Sequence, residues 1–304
     1  MNMAMLKLSE PTVIANTLLG ADVKVLRLDK IDEIGSGNKY FKLKYNLEAA
    51  RKAGCRRLIS FGGAYSNHIH ALALLGQQQG FETIGLIRGE KCDPLNATLA
   101  DSVAAGMQLY YLNREDYRRR YDPIYLEALK SKFKDCFWIP EGGANVLGVR
   151  GCMDIAHYIE PDRQLVILPC ATASTMAGLA AACPNQQVLG ISVLKNALDL
   201  CEQASAHLEA LVEAGYIQQQ PANWSVAHEY HCGGYAKVNR DLIEFIKWFE
   251  TQSDISVEPV YSGKMFYALY QLLLSGQIDP STKIAAIHTG GMQGRRGMID
   301  KGVL

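Results

Sequence analysis

The sequence predicts an α/β protein with mostly parallel sheets. Short β-branched runs alternate with longer amphipathic segments along the chain, and neither an internal repeat nor a low-complexity linker breaks that alternation. The closing run "KIAAIHTGG" reads as a buried strand ending in glycines. In such sheets ligands sit at the carboxyl ends of strands, where loops enter helices.

In chain order, "DVKVLRL" reads as a strand and "YFKLKYNLEAARKAG" as a helix ending on Gly54. "RRLISF" is a strand leading through "GGAYSN" into the helix "HIHALALLGQQQG". "ETIGLIRG" is a strand, "NATLADSVAAG" a helix, and "QLYYL" and "DCFWIP" are strands. "NVLGVRGCMDIAHYI" is helical, and "QLVILPC", "MAGLAAAC" and "VLGISVL" read strand, helix, strand. Helices follow in "NALDLCEQASAHLEALVEAG", "RDLIEFIKWFE" and "GKMFYALYQLLLSG" before the last strand.

At 304 residues the chain supports one large domain or two smaller ones. Its 48% hydrophobic and 20% charged residues are ordinary for a globular protein. Lys+Arg and Asp+Glu are equal at 31, so neither nucleic acid nor a membrane surface is expected as a partner. No apolar run has the length of a membrane span, and the first twenty residues lack a basic n-region with a continuous apolar core. The eight cysteines are scattered without a CxxC pair and read as reduced thiols, so a cytoplasmic protein is expected.

Three loops are suited to chemistry. In the first, the turn that begins at Gly35 delivers Lys39 to the start of a helix. With Asn38 as cap, Lys39 lies near the positive end of the helix dipole, where ammonium is disfavoured, and partial burial pushes the same way. A neutral, nucleophilic amine is one reading; a solvated lysine on a basic helix is the other. The second loop, "ISFGGAYSNHIHA", offers Ser66, Asn67 and the free N–H groups of the next helix as a carboxylate site, or simply a capped turn. Neither His68 with His70 nor "HEYHC" has a cysteine or carboxylate at ligand spacing, so no metal is expected. The third, "LPCATASTMAGLAAA", sets small residues and hydroxyls between a buried strand and an Ala-rich helix, a shape for wrapping phosphate or for close helix–sheet packing.

Taken in order, "SGNKYFKLKYNL", "GGAYSNH", "ATASTMAG", "EPVYSGK" and "HTGG" resemble the 1-aminocyclopropane-1-carboxylate deaminase/D-cysteine desulfhydrase family over nearly the whole chain. The resemblance implies fold type II, the tryptophan-synthase-β-like fold, with pyridoxal 5'-phosphate as cofactor and a small amino acid as substrate. It implies a small α/β domain at 43–147 inserted in a larger cofactor-binding domain made of 1–42 and 148–304, and a homodimer. By position, Lys39 matches the lysine that holds the cofactor as a Schiff base. Asn67 matches the residue beside the cofactor's phenolic oxygen, and Ser66 the serine facing the substrate, with His68 next to them. Ala171, Thr172, Ala173, Ser174 and Thr175 match the phosphate-cradling loop. Tyr261, and Tyr235 in the looser motif "GGYAKVN", match two active-site tyrosines.

The chain departs from the family at two places. Its phosphate loop has Ala173 and Ser174 where the family has more glycine, and an alanine does not easily adopt positive φ. Ser262 stands where ring-opening deaminases have a glutamate facing the pyridine nitrogen. A serine hydroxyl donating to an unprotonated nitrogen makes a weaker electron sink, sufficient to eliminate thiolate but not to open a cyclopropane. The reading is therefore β-elimination, D-cysteine to pyruvate, sulfide and ammonia. The alternatives are 1-aminocyclopropane-1-carboxylate deamination to 2-oxobutanoate and ammonia, and a non-catalytic amino-acid or cofactor-binding protein.

Overall fold

The computed structural model describes residues 12–13, 20–32, 36–91, 93–299 and 302; Gly35, at the head of the first loop, lies outside them. The chain runs β1 (Thr12–Val13), β2 (Val23–Arg27), α1 (Asn38–Lys52), β3 (Arg57–Gly63), α2 (Asn67–Gln78), β4 (Glu82–Arg88), α3 (Ala97–Ala104) and β5 (Gln108–Leu112). Then come α4 (Arg114–Arg118), α5 (Pro123–Lys132), β6 (Cys136–Ile139), α6 (Val146–Met153), β7 (Leu165–Cys170), α7 (Ser174–Ala182) and β8 (Gln187–Ser192). α8 (Leu200–Glu213), β9 (Trp224–Ala227), α9 (Arg240–Ser253), α10 (Ser262–Leu274), β10 (Ile284–His288) and α11 (Gln293–Ile299) complete it.

These strands form two sheets, one ordered β1-β2-β10-β7-β8-β9 and one ordered β5-β4-β3-β6. Every pairing is parallel except β1 with β2. The alternation of strand and helix leaves few other choices, because parallel neighbours need a crossover and the crossovers here are helical. In the larger sheet β10 lies between β2 and β7, with Ala286 opposite Val25 on one side and Ile167 on the other. The closing strand is thus central and fully buried, as its unbroken apolar run requires.

α1 joins the two sheets. Its Phe41 packs with Leu26, Val166 and Leu168 of the larger sheet, whereas Leu43, Leu47 and Ala50 pack with Leu58 of β3 and Ile69 and Leu72 of α2. One helix face therefore serves each core, and the first turn of α1 is held where they meet.

Five elements lie outside the sequence reading: β1, α4, α5, β9 and α11. β9 has four residues and α4 five, too short for periodicity to register. α5 did carry a signal, since Asp122 caps it by accepting from the N–H groups of Ile124 and Tyr125, with Pro123 at the first helical position. The stretch expected to be helical over 145–159 is α-helical only to Met153 and continues as a 3-10 turn over Asp154–Tyr158.

Candidate active site

The first turn of α1 is placed by a close backbone crossing. Gly37 has φ 59°, and a Cβ there would lie 2.2 Å from the Thr289 carbonyl oxygen. Asn38 N–H donates to that same oxygen at 3.0 Å, tying the loop to the end of β10. Asn38 is not the cap that the sequence reading assumed. It is the first helical residue, Gly37 stands at the cap position, and the Asn38 amide donates instead to Thr175 Oγ1 at 3.0 Å. Lys39 still lies in the first turn. Desolvation holds its amine well below the ordinary lysine range, and the neighbouring Lys42 charge adds to the effect.

Lys42 is the second lysine of the site, and the sequence reading gave it no role. It is almost wholly buried, and its Nζ donates to Ser174 Oγ at 2.7 Å and to Thr172 Oγ1 at 3.4 Å. The signal was its spacing: one helical turn from Lys39, it shares that face of α1. Thr172 and Ser174 hydroxyl oxygens lie 3.0 Å apart, and His207 Nε2 on α8 lies 2.9 Å from the Thr172 carbonyl oxygen. Ala173 takes the left-handed conformation that its side chain disfavours, with φ 52° and ψ −14°. The loop from Ala171 to Thr175 therefore keeps a glycine-like turn without the glycine, at a cost of about 1–2 kcal/mol. Two hydroxyls, a buried ammonium and the start of α7 converge here, a donor set that fits a phosphate.

In the second loop, Ser66 caps α2, its Oγ accepting the Ile69 N–H at 3.3 Å. That bond uses a lone pair and leaves the hydroxyl proton for an outside acceptor such as a carboxylate. Asn67 Oδ1 accepts from Gln293 Nε2 at 2.5 Å, and Gly291 of the "HTGG" loop packs so closely on the Asn67 amide that a Cβ would lie 2.4 Å from its nitrogen. His68 Nε2 lies 2.9 Å from Ser60 Oγ, while its Nδ1 is buried without a partner. Desolvation, with the Lys39 and Lys42 charges, pushes the His68 pKa far down, so the ring is neutral near pH 7. His70 pairs with Asp101, which also meets Arg296; no cluster of three metal-ligating side chains occurs among the described residues.

The remaining candidate residues are aromatic. The rings of Tyr235 and Tyr261 meet edge to face with centroids 6.1 Å apart, and their side chains are hydrogen-bonded. Burial, the paired phenol and nearby carboxylates hold Tyr261 well above its usual range, and burial raises Tyr235 too. Both phenols are therefore protonated at neutral pH. Glu141 is among the carboxylates whose charge reaches both; it accepts from Tyr117 Oη at 2.6 Å, Arg120 Nε at 2.6 Å and Tyr121 Oη at 3.4 Å. Tyr117, Arg120 and Tyr121 lie between the strands "QLYYL" and "DCFWIP", and Glu141 directly follows the second.

Ser262 does not present a free hydroxyl. Its Oγ lies 3.2 Å from Glu258 Oε1 and also accepts the Glu258 N–H at 3.2 Å. Glu258 is buried and caps α10 by accepting from the N–H groups of Val260, Tyr261 and Ser262. Burial raises its pKa against the pull of those bonds. When Glu258 is ionised it accepts the Ser262 hydroxyl's hydrogen bond, and the serine offers only a lone pair outward. An acid four residues before the serine, at the head of a helix, was legible as a cap in "EPVYSGK" but not as a partner of Ser262.

A lysine with a depressed pKa beside a phosphate-shaped cradle, at the carboxyl ends of two parallel sheets joined by one helix, defines a class: the fold type II enzymes, which hold pyridoxal phosphate in such a site. The chain belongs to the pyridoxal-phosphate dependent enzyme family, whose profile matches residues 15–290. A solved structure described as an ACC deaminase homologue superposes with a TM-score of 0.85 at 25% identity, covering 98% of this chain and 95% of that one. A Pyrococcus horikoshii protein provisionally named 1-aminocyclopropane-1-carboxylate deaminase is 29% identical, over 91% of this chain and 86% of its own. A mitochondrial protein of Arabidopsis thaliana, named bifunctional D-cysteine desulfhydrase/1-aminocyclopropane-1-carboxylate deaminase, is 27% identical over 88% and 71%. No helix among the described residues is long and apolar enough to cross a membrane.

Proposed function

We propose that the protein eliminates the β-substituent of a small amino acid, converting D-cysteine to pyruvate, sulfide and ammonia. The observation that carries this reading is Lys39, its amine held well below the ordinary lysine range and hydrogen-bonded to Lys42 of the Lys42–Thr172–Ser174 cradle. Bound pyridoxal phosphate supplies an electron sink for the α-carbon. Lys42, Ser174 and Thr172 would hold its phosphate, Asn67 and Ser262 would flank its ring, and Lys39 would carry it covalently.

The protein's own groups divide the rest of the work. Ser66 and the start of α2 bind the substrate carboxylate through N–H and O–H donors. Lys39 Nζ, whose charged form desolvation disfavours, accepts the α-proton once substrate has displaced it. The C–S bond then breaks, and a phenol of the Tyr261–Tyr235 pair, protonated at neutral pH, donates to the departing sulfur. Water completes the conversion to pyruvate and ammonia. His68, neutral and with an open Nδ1, adds a polar contact without adding charge.

A second reading, 1-aminocyclopropane-1-carboxylate deamination, gains support from Glu258. With its proton committed to that carboxylate, Ser262 meets a protonated ring nitrogen as an acceptor, which narrows its difference from a glutamate. A non-catalytic binding protein is the third possibility. A visible absorption band that changes on adding D-cysteine, with sulfide released, supports desulfhydration; turnover of the cyclopropane substrate at equal cofactor occupancy supports the second reading; a stable band with no product supports the third.

The proposal includes the division into 1–42, 43–147 and 148–304, a homodimer, and a cytoplasmic location. The four strands of the smaller sheet, β3 to β6, lie within 43–147, which supports that division. Light scattering of the holoenzyme tests the assembly.

A further inference from the structure

Lys264 is a buried charge for which the chemistry above has no task. It is 0% exposed, on α10 one turn beyond Tyr261. Its Nζ donates to the Gly234 carbonyl oxygen at 2.7 Å and reaches the Val193 carbonyl oxygen at 3.4 Å. No ion pair involving it occurs among the described residues. Burial pushes its pKa down to about 8, with Cys232 and Glu258 opposing that shift. An apolar side chain of the same length would fill the space without desolvating an amine. What the amine adds is a directional hold on two backbone carbonyls from two separate loops.

Those loops matter because of what they carry. Gly234 is bonded to Tyr235, so fixing the Gly234 carbonyl fixes the peptide plane from which Tyr235 leaves the chain. The surrounding turn has little regular structure of its own: Cys232, Gly233, Gly234 and Ala236 all have positive φ, at 50°, 96°, 110° and 54°. Tyr235 is 51% exposed and outside the buried cores. Val193 opens the loop after β8, and Lys195 of that loop packs on Gly234. The helix that begins just after Tyr261 thus reaches, through Lys264, to the loop that carries the other tyrosine.

We propose that Lys264 is a positioning residue that sets Tyr235 against Tyr261 and so fixes the substrate face of the site. The inference rests on the reading of these tyrosines as that face. It has two consequences, one for loop order and one for turnover.

The test uses the cofactor-loaded enzyme and its Lys264→Met variant. Amide hydrogen exchange should quicken about tenfold or more in 193–195 and 231–237, with β7 and α7 unchanged. Turnover of D-cysteine should fall about tenfold, the visible cofactor band should persist, and the Lys264→Met/Tyr235→Phe double variant should be no slower than Tyr235→Phe alone. Unchanged exchange in the two loops, or exchange quickened throughout both sheets, overturns the positioning role. Losses that multiply in the double variant overturn the link to Tyr235. Full activity in Tyr235→Phe instead overturns the substrate-face reading, a separate failure, because the exchange result does not depend on it. If Lys264→Met does not accumulate, Lys264→Gln, which keeps one donor group, is measured by the same criteria.

Discussion

The two walls of the proposed site are built differently. On the cradle side, Lys42 and Ser174 are buried side chains on adjoining helices, and Thr172 opens the turn between β7 and α7. Their partners are one another, within two short motifs. On the tyrosine side, Tyr235 stands half exposed on an irregular loop, and its surroundings are assembled from distant parts of the chain: Tyr261 and Lys264 on α10, and Glu141 with Tyr117, Arg120 and Tyr121. On the proposed function the cofactor wall joins two short motifs from distant parts of the chain through buried side chains, whereas the substrate wall gathers single residues from several segments.

Substitutions on the two walls should therefore fail in different ways. The largest effect is expected from Lys39→Ala: activity falls by about a thousandfold or more, and borohydride reduction with peptide mapping no longer labels the α1 peptide. A wild-type label on Lys42 or Lys264 would break the assignment of the wall itself. Tyr261→Phe should cost about a hundredfold in kcat while leaving cofactor affinity unchanged, as belongs to the substrate wall. Lys42→Met should do the reverse, weakening cofactor binding by about 2 kcal/mol, the worth of one charge-assisted hydrogen bond, measured by titration of cofactor into stripped protein. Equal effects of both variants on affinity and turnover would erase the distinction.

Two smaller effects sharpen it. Lys264 has a folded pKa of about 8 against an ordinary 10.5, so between those values the unfolded chain binds more protons than the folded one. Stability from this group is lowest below about pH 8 and rises with pH up to 10.5. The melting temperature of the wild type, relative to Lys264→Met, should therefore climb over that window; a flat difference would mean that Lys264 titrates normally. Ala173→Gly should relieve the left-handed turn and stabilise the protein by about 0.5–1 kcal/mol in urea, part of the relief being lost to the greater freedom of glycine when unfolded. Destabilisation of that size would count against the turn.

The two walls were also unequally legible. Lys39, Ser66, Asn67 and the loop from Ala171 to Thr175 could be picked out because each follows a strand and opens a helix, which marks a ligand loop in a parallel sheet. The bar on positive φ for Ala173 was sound as a preference, yet the loop adopts the turn, because the packed ends of β7 and α7 outweigh one residue's intrinsic cost. Asn38 was misread as a cap: its side chain found a better partner in Thr175, across a contact that no local rule contains.

By itself, then, the sequence determined the alternation of strands and helices, the parallel sheets and which loops lead from a strand into a helix, since periodicity, glycine placement and helix caps act over a few neighbouring residues. Only the tertiary structure decided that Lys42 completes the cradle, that Glu258 holds the Ser262 proton, that Glu141 gathers Tyr117, Arg120 and Tyr121 beside the tyrosine pair, and that Lys264 ties the Tyr235 loop to α10. Each of these depends on a side chain's distance, burial or hydrogen-bond partner, quantities that exist only once the two sheets have closed around the site.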